Sequence, residues 1–125
     1  MSERIGTYRL KYYVHARHAI RWEEGLGDEH GHSWEIMVEF QTSNQEMIVF
    51  DQIEKLLGKT FEKYTGVFLN DIPPFDTLNP TLENITMHFF ELVSEKIEPL
   101  HAILDRIEVG ESPTRYYCIT RNVKG

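Results

Sequence analysis

The sequence predicts an α+β domain in which an antiparallel sheet carries two helices on one face. Three observations point there. Apolar and polar residues alternate near both ends of the chain, apolar residues recur at helical spacing in its middle, and the segments come in blocks, ββααββ. Strands interleaved with helices would instead mark a parallel sheet with crossover connections.

Residues 7–18 read as the first strand, with Tyr8, Leu10, Tyr12 and Val14 on one face. A polar loop follows, bearing Gly25 and Gly27 and the acids Glu23, Glu24, Asp28 and Glu29. Residues 32–42 alternate again, Trp34, Ile36, Val38 and Phe40 against Glu35 and Glu39, and pair antiparallel with the first strand. From Phe50 the period becomes helical through Ile53, Leu56, Leu57 and Phe61, with Asp51 placed as an N-cap or first-turn carboxylate. Asn70, Asp71, Pro73, Pro74 and Asn79-Pro80 mark a loop. The second helix starts after Pro80 with Thr81 as its N-cap, runs through Leu82, Ile85, Phe89, Leu92, Val93 and Ile97, and stops at Pro99. Strands at about 103–111 and 115–121 close the chain, joined by a turn at Ser112-Pro113-Thr114.

All 125 residues read as one domain, 1–125, with no repeat or linker to divide it. Hydrophobic residues at 41% and charged residues at 26% give an ordinary soluble globular composition. Cys118 is the single cysteine, so no disulfide forms within the chain, which suits a cytoplasmic setting. No apolar run is long enough to span a membrane, and Met1-Ser2-Glu3-Arg4 leads into strand-like sequence without a signal-peptide core. A net charge of −7 with no basic stripe excludes nucleic acid as a partner. It leaves room for a small-molecule substrate, because a bound metal reverses the field inside a site. Unblunted sheet edges imply a homo-oligomer.

His30-Gly31-His32 opens the second strand, and residues two apart on a strand point the same way. Gly31 between them leaves space for an ion or ligand beside the backbone. His18 ends the first strand, and an antiparallel hairpin returns that end beside the start of the second. Three converging imidazoles supply three of zinc's four positions and leave one open, the pattern of a catalytic site. The competing reading is a pair of exposed histidines at a strand start; only a real hairpin turns them into a site. His15 is three residues from His18 and faces away; His88, within the second helix, and His101, just beyond it, read as structural or surface residues. Glu111, from its position alone, reads as a strand-end surface carboxylate.

With these residues in place, the chain resembles the 6-pyruvoyl-tetrahydropterin synthases and the related 6-carboxytetrahydropterin synthases. Ala16-Arg17-His18 resembles the Ala-Ala-His closing the family's first strand, and His30-Gly31-His32-Ser33 its His-Gly-His-Ser. Ile48-Val49-Phe50-Asp51, Leu69-Asn70-Asp71-Ile72-Pro73, Asn79-Pro80-Thr81 with Glu83-Asn84, and Glu111-Ser112 follow in the family's order over almost the whole chain. The resemblance implies the tunnelling fold, in which subunits join sheets edge to edge, often as hexamers or other trimer-based assemblies. It implies Zn2+ on His18, His30 and His32, a pterin-like ring anchored by Glu111, and Thr81 near the same pocket.

The chain also departs from the family. The family's cysteine shortly before His-Gly-His is absent, and its Asp-His pair falls on Thr65-Gly66. A triad acts as a unit, so losing every member leaves metal and positioning alone. The resemblance offers a replacement: some members carry Glu at the cysteine position and cleave the dihydroneopterin side chain in a retro-aldol manner. Glu24, six residues before His30, is the preferred base, with Glu23, Asp28 and Glu29 as competitors and Tyr64 a further candidate. Arg17, beside His18, either meets a substrate anion or faces solvent, with solvent favoured. The expected function is a zinc-dependent lyase acting on a dihydroneopterin-type or related substrate by elimination or retro-aldol cleavage. The alternatives are a zinc enzyme repurposed for a non-pterin substrate and a non-catalytic zinc- and ligand-binding protein.

Overall fold

The computed structural model describes residues 4–121; residues 1–3 and 122–125, and with them most of the segment read for a signal peptide, lie outside the described residues. Strand β1 (Tyr8–His18) is followed by two short strands, β2 (Arg21–Trp22) and β3 (Gly25–Leu26), which form a hairpin of their own. Strand β4 (His30–Thr42) then pairs antiparallel with β1 from Tyr8↔Phe40 to His18↔His30. After the helices, β5 (Ala102–Ser112) pairs with β4 and β6 (Arg115–Thr120) with β5, both antiparallel. The main sheet therefore has the order β1-β4-β5-β6.

Strand alternation sorts the side chains as the pattern predicts. Along β1, Val14, Ala16 and His18 are buried while Tyr13, His15 and Arg17 are exposed. The inner face of β4 and β5 contributes Trp34, Ile36, Val38, Phe40, Leu104, Ile107 and Val109 to one core. The opposite face is solvated. It carries cross-strand pairs between Arg9 and Glu39 and between Lys11 and Glu35, both at 3.8 Å. Such exposed pairs contribute at most about 1 kcal/mol each, so they keep this face wet more than they hold the sheet together.

Helix α1 (Phe50–Glu62) lays a stripe of Ile53, Leu57 and Phe61 on the core. Its N-cap is Val49, which offers no side-chain acceptor; Asp51 serves instead as the first-turn carboxylate and pairs with Lys55 at 3.6 Å. Helix α2 (Leu82–Ile97) buries Ile85, Phe89, Val93 and Ile97, spaced four apart. Thr81 caps it by accepting from the Asn84 amide at 3.1 Å. Pro99 falls in a single 3₁₀ turn after α2, where a residue without an N–H cannot continue the α ladder.

Two features of this scaffold place the site. The segment after α1 folds back along the edge of β1, with Gly66 N–H donating to His15 C=O at 2.6 Å and Arg17 N–H to Val67 C=O at 3.0 Å. That segment continues through Asn70 and Asn79 to the start of α2, passing beside the His18 end of β1. Among the described residues, no helix is long and apolar enough to cross a membrane.

Candidate metal centre and cleft

The hairpin required by the histidine reading is present. His18 and His30 are direct cross-strand partners, and His32 sits one pleat further on, opposite Ala16. The His18 and His32 ring centroids are 5.0 Å apart, and His30 lies 6.4 and 6.3 Å from them. Trp34 forms the floor, meeting His18 and His32 edge-on at 4.9 and 5.0 Å.

His18 is buried, and its Nδ1 lies 2.8 Å from the Pro80 carbonyl. A carbonyl can only accept, so Nδ1 carries the proton and Nε2 keeps its lone pair for the cleft. A carbonyl acceptor on the far ring nitrogen is what orients an imidazole that binds a metal. The backbone beyond His18 is fixed just as firmly. Asn70 Oδ1 accepts from Ala19 N–H at 2.9 Å while its Nδ2 donates to Ala19 C=O at 2.8 Å. Asn79 does the same to Arg21, at 2.8 and 3.0 Å. Two carboxamides thus stand in for a neighbouring strand. The Arg21 guanidinium adds bonds to the carbonyls of Phe75 and Leu78, tying down the same loop.

His32 Nε2 stands 4.0 Å from Glu111 Oε2, and one donor atom each from His18, His32 and Glu111 lie within 4.8 Å of one another. Burial holds the His32 imidazole below its ordinary pKa, reinforced by His18, opposed by Glu111, then reinforced by His30 and Arg115. The ring is therefore neutral near pH 7, the state that donates to a metal. Donors around a tetrahedral zinc stand roughly 3.3 Å apart, from bonds of about 2 Å. Donor atoms of His18, His32 and Glu111 lie within 4.8 Å of one another, whereas His30, exposed at the start of β4, stands outside that group with its ring centroid 6.4 and 6.3 Å from the other two; the imidazole and carboxylate donors are of the type zinc takes.

These residues line one cleft of about 790 Å³, which also takes in Thr81, Trp22 and Arg115. Glu24 is placed elsewhere. It occupies the exposed turn of the β2–β3 hairpin and is not among the residues lining the cleft, although Trp22 of the same hairpin is. Glu23, Asp28 and Glu29 are exposed as well, and Glu29 is paired with Arg17. Arg17 accordingly lies on the face away from His18, over the Phe68 ring. Cys118, half-buried on the solvated face of the sheet, lies 3.1 Å from both Glu108 and Arg106 and away from the histidines.

Tyr64 is also outside the cleft lining. It is buried against Phe75 and Phe89, its hydroxyl 2.8 Å from His88 Nε2, and burial pushes its phenol up to about 12. His88 is shifted down, chiefly by burial, further by Lys63 and against Glu91. Its folded pKa therefore lies below the roughly 6.5 of an unfolded chain. The unfolded state takes up the proton first, so this contribution to stability is complete above about pH 6.5 and is lost as the pH falls from there through the lower folded pKa. In thermal melts, His88→Gln is expected to lose less Tm than wild type between about pH 7 and pH 5. Parallel profiles for the two proteins would assign the acid sensitivity to another group.

Fold and site together define a small α+β domain whose sheet presents histidine and carboxylate donors in a cleft at one end. The family model of 6-pyruvoyl tetrahydropterin synthase matches residues 8–122, and the chain belongs to that family. Its fold is the family's tunnelling fold. The chain superposes on the 6-pyruvoyl tetrahydropterin synthase of Caenorhabditis elegans with a TM-score of 0.78 at 18% identity, covering 95% of this chain and 97% of that one. It matches the Plasmodium vivax 6-pyruvoyltetrahydropterin synthase with a TM-score of 0.74 at 13% identity, covering 97% and 100%. A variant of the P. vivax protein with alanine in place of a catalytic glutamate gives 0.72 at 15%, again covering 97% and 100%. No curated protein matches the chain by sequence.

Proposed function

We propose that this chain is a zinc-dependent lyase acting on a dihydroneopterin-type or related substrate, by elimination or retro-aldol cleavage of the side chain. The observation that carries the reading is the convergence of His18, His30, His32 and Glu111 on one cleft. Zinc, when bound by the three histidines, supplies a Lewis acid for side-chain oxygens of the substrate. The Glu111 carboxylate offers two acceptors to a ring N–H and its neighbouring amino group, and Thr81 borders the same space.

Glu24 is the proposed general base. It stands on the hairpin whose Trp22 borders the cleft, and a glutamate fills a catalytic role in the P. vivax relative. In the retro-aldol case the carboxylate takes a side-chain hydroxyl proton, the adjacent C–C bond breaks, and the ring takes up the electron pair. The free thiol and the absence of a membrane-crossing helix among the described residues suit a cytoplasmic enzyme. The open edge of β6 suits a homo-oligomer, hexameric or otherwise trimer-based.

A second reading is favoured by the position of Glu24 outside the cleft lining: a protein that binds zinc and a ligand without turning it over. A zinc enzyme repurposed for a non-pterin substrate is the other alternative. Incubating zinc-loaded protein with 7,8-dihydroneopterin and its triphosphate, with products followed by mass spectrometry, separates these readings. The expected result is a zinc-dependent pterin product that Glu24→Ala makes at least about 100-fold more slowly, the scale of general-base catalysis. Binding without turnover would establish the second reading, and neither binding nor turnover would point to a different substrate.

A further inference from the structure

The walls of the histidine cleft are mostly polar, and among the described residues Trp22 is its one aromatic side chain besides the imidazoles. Ile20 and Leu82, both half-buried, supply the remaining apolar side chains. Trp22 itself is 63% exposed. An indole left in water forgoes the stabilisation that burying so large an apolar surface brings.

The ring is nevertheless held in place. Trp22 follows Arg21, whose backbone N–H and C=O are both bound by Asn79, and it pairs with Gly25 across the β2–β3 hairpin. One edge of the indole lies against Gly27: a Cβ there would stand 3.0 Å from Trp22 Nε1, 3.3 Å from its Cδ1 and 3.2 Å from the Ile20 carbonyl oxygen. Glycine leaves that room, whereas a side chain would have to displace the ring or the backbone.

A planar ring gripped along one edge still has two faces to cover. Edge hydrogen bonds lie in the plane of a ring and stacking acts across it, so a carboxylate and an indole in one cleft have complementary tasks. Resting on the pterin-type reading above, we propose that Trp22 is a specificity-determining residue of this cleft, whose indole covers one face of the bound ring and so selects flat heteroaromatic ligands. Because the hairpin fixes the indole before a ligand arrives, little conformational freedom is lost on binding.

The test uses the full chain, with affinities for pterin and for tetrahydropterin measured anaerobically by calorimetry. Trp22→Ala is expected to weaken pterin binding about tenfold or more, the scale on which stacked bases depend on an aromatic side chain, and Trp22→Phe to recover most of the loss. Tetrahydropterin, whose saturated ring is puckered, is expected to bind wild type more weakly than pterin, and Trp22→Ala to narrow that gap. Zinc affinity, measured by chelator competition, is expected to stay unchanged in both variants, which a general collapse of the cleft would not allow. Oxidative footprinting of the wild type, read by mass spectrometry, needs no substitution: Trp22 is expected to oxidise readily without ligand and to be protected by saturating pterin. Unchanged pterin affinity in Trp22→Ala overturns the proposal, as does a gap between the two ligands that the variant leaves intact. An indole that pterin leaves unprotected, or one already shielded by a second copy without ligand, overturns it too. If the variants do not fold, the footprint decides alone. Wild-type protein that binds no pterin overturns the pterin reading and this proposal with it, whereas binding that is indifferent to Trp22 overturns only the latter.

Discussion

His18→Ala is expected to reduce zinc affinity by more than about 100-fold, beyond the range for losing a hydrogen-bond partner that only orients a ligand. Two losses combine. One imidazole donor disappears, and the Pro80 carbonyl, which accepts from His18 Nδ1–H at 2.8 Å, is left without that donor. The orphaned carbonyl adds a destabilisation of about 1–3 kcal/mol, because His18 is buried and the freed acceptor has lost water as well. Chelator competition reads the first effect and urea unfolding of the metal-free protein the second. His30→Ala makes a useful contrast, since His30 is exposed and its ring has no hydrogen-bond partner among the described residues; its substitution should leave metal-free stability within about 0.5 kcal/mol. A His18→Ala protein with wild-type zinc affinity would remove the histidine cluster as the metal site.

Trp34→Ala is expected to destabilise the fold by about 3–5 kcal/mol, the range for emptying a large buried aromatic site. Trp34 is 1% exposed, its Nε1–H donates to the Ala16 carbonyl at 3.2 Å, and it lies under both His18 and His32. The cavity would therefore open at the floor of the cleft. Urea denaturation at fixed protein concentration measures the loss, the concentration being held because any assembly of copies contributes to apparent stability. Trp34→Phe retains most of the packing but not the indole donor, and should recover more than half of it. A loss below about 1 kcal/mol for Trp34→Ala would show that neighbouring side chains collapse into the space.

Much of this architecture is legible in the amino-acid order. The alternation through Trp34, Ile36, Val38 and Phe40 marks a strand with one buried face, and the spacing of Ile85, Phe89, Val93 and Ile97 marks a helix stripe. Parity puts His30 and His32 on one side of β4, and the tight antiparallel return brings His18 opposite. The β2–β3 hairpin is not legible, because two-residue strands show no period and owe their pairing to a glycine-assisted turn, with Gly25 at φ 134°. The Asn70 and Asn79 clamps are equally hidden. Each joins residues 51 and 58 positions apart, respectively, through side-chain amides, and no local pattern encodes such a bond. Glu111 illustrates the limit most clearly. Alone it is an acid at a strand end, and it becomes part of a cleft only because the β4–β5 register sets that end of β5 beside His32.

The clamps divide the chain into parts with different tolerance for change. Residues 19–21 are pinned by four bonds to Asn70 and Asn79, and His18 is tied separately to Pro80. The hairpin that follows returns to this anchored stretch through Gly27 N–H, which donates to Ile20 C=O at 2.8 Å. Lengthening, trimming or re-tipping residues 22–29 therefore need not shift an imidazole. The hairpin is in effect an interchangeable cartridge, mounted on a histidine cluster that does not register the exchange. A chain built this way can vary the side chains at the hairpin tip while His18, His30 and His32 keep their places.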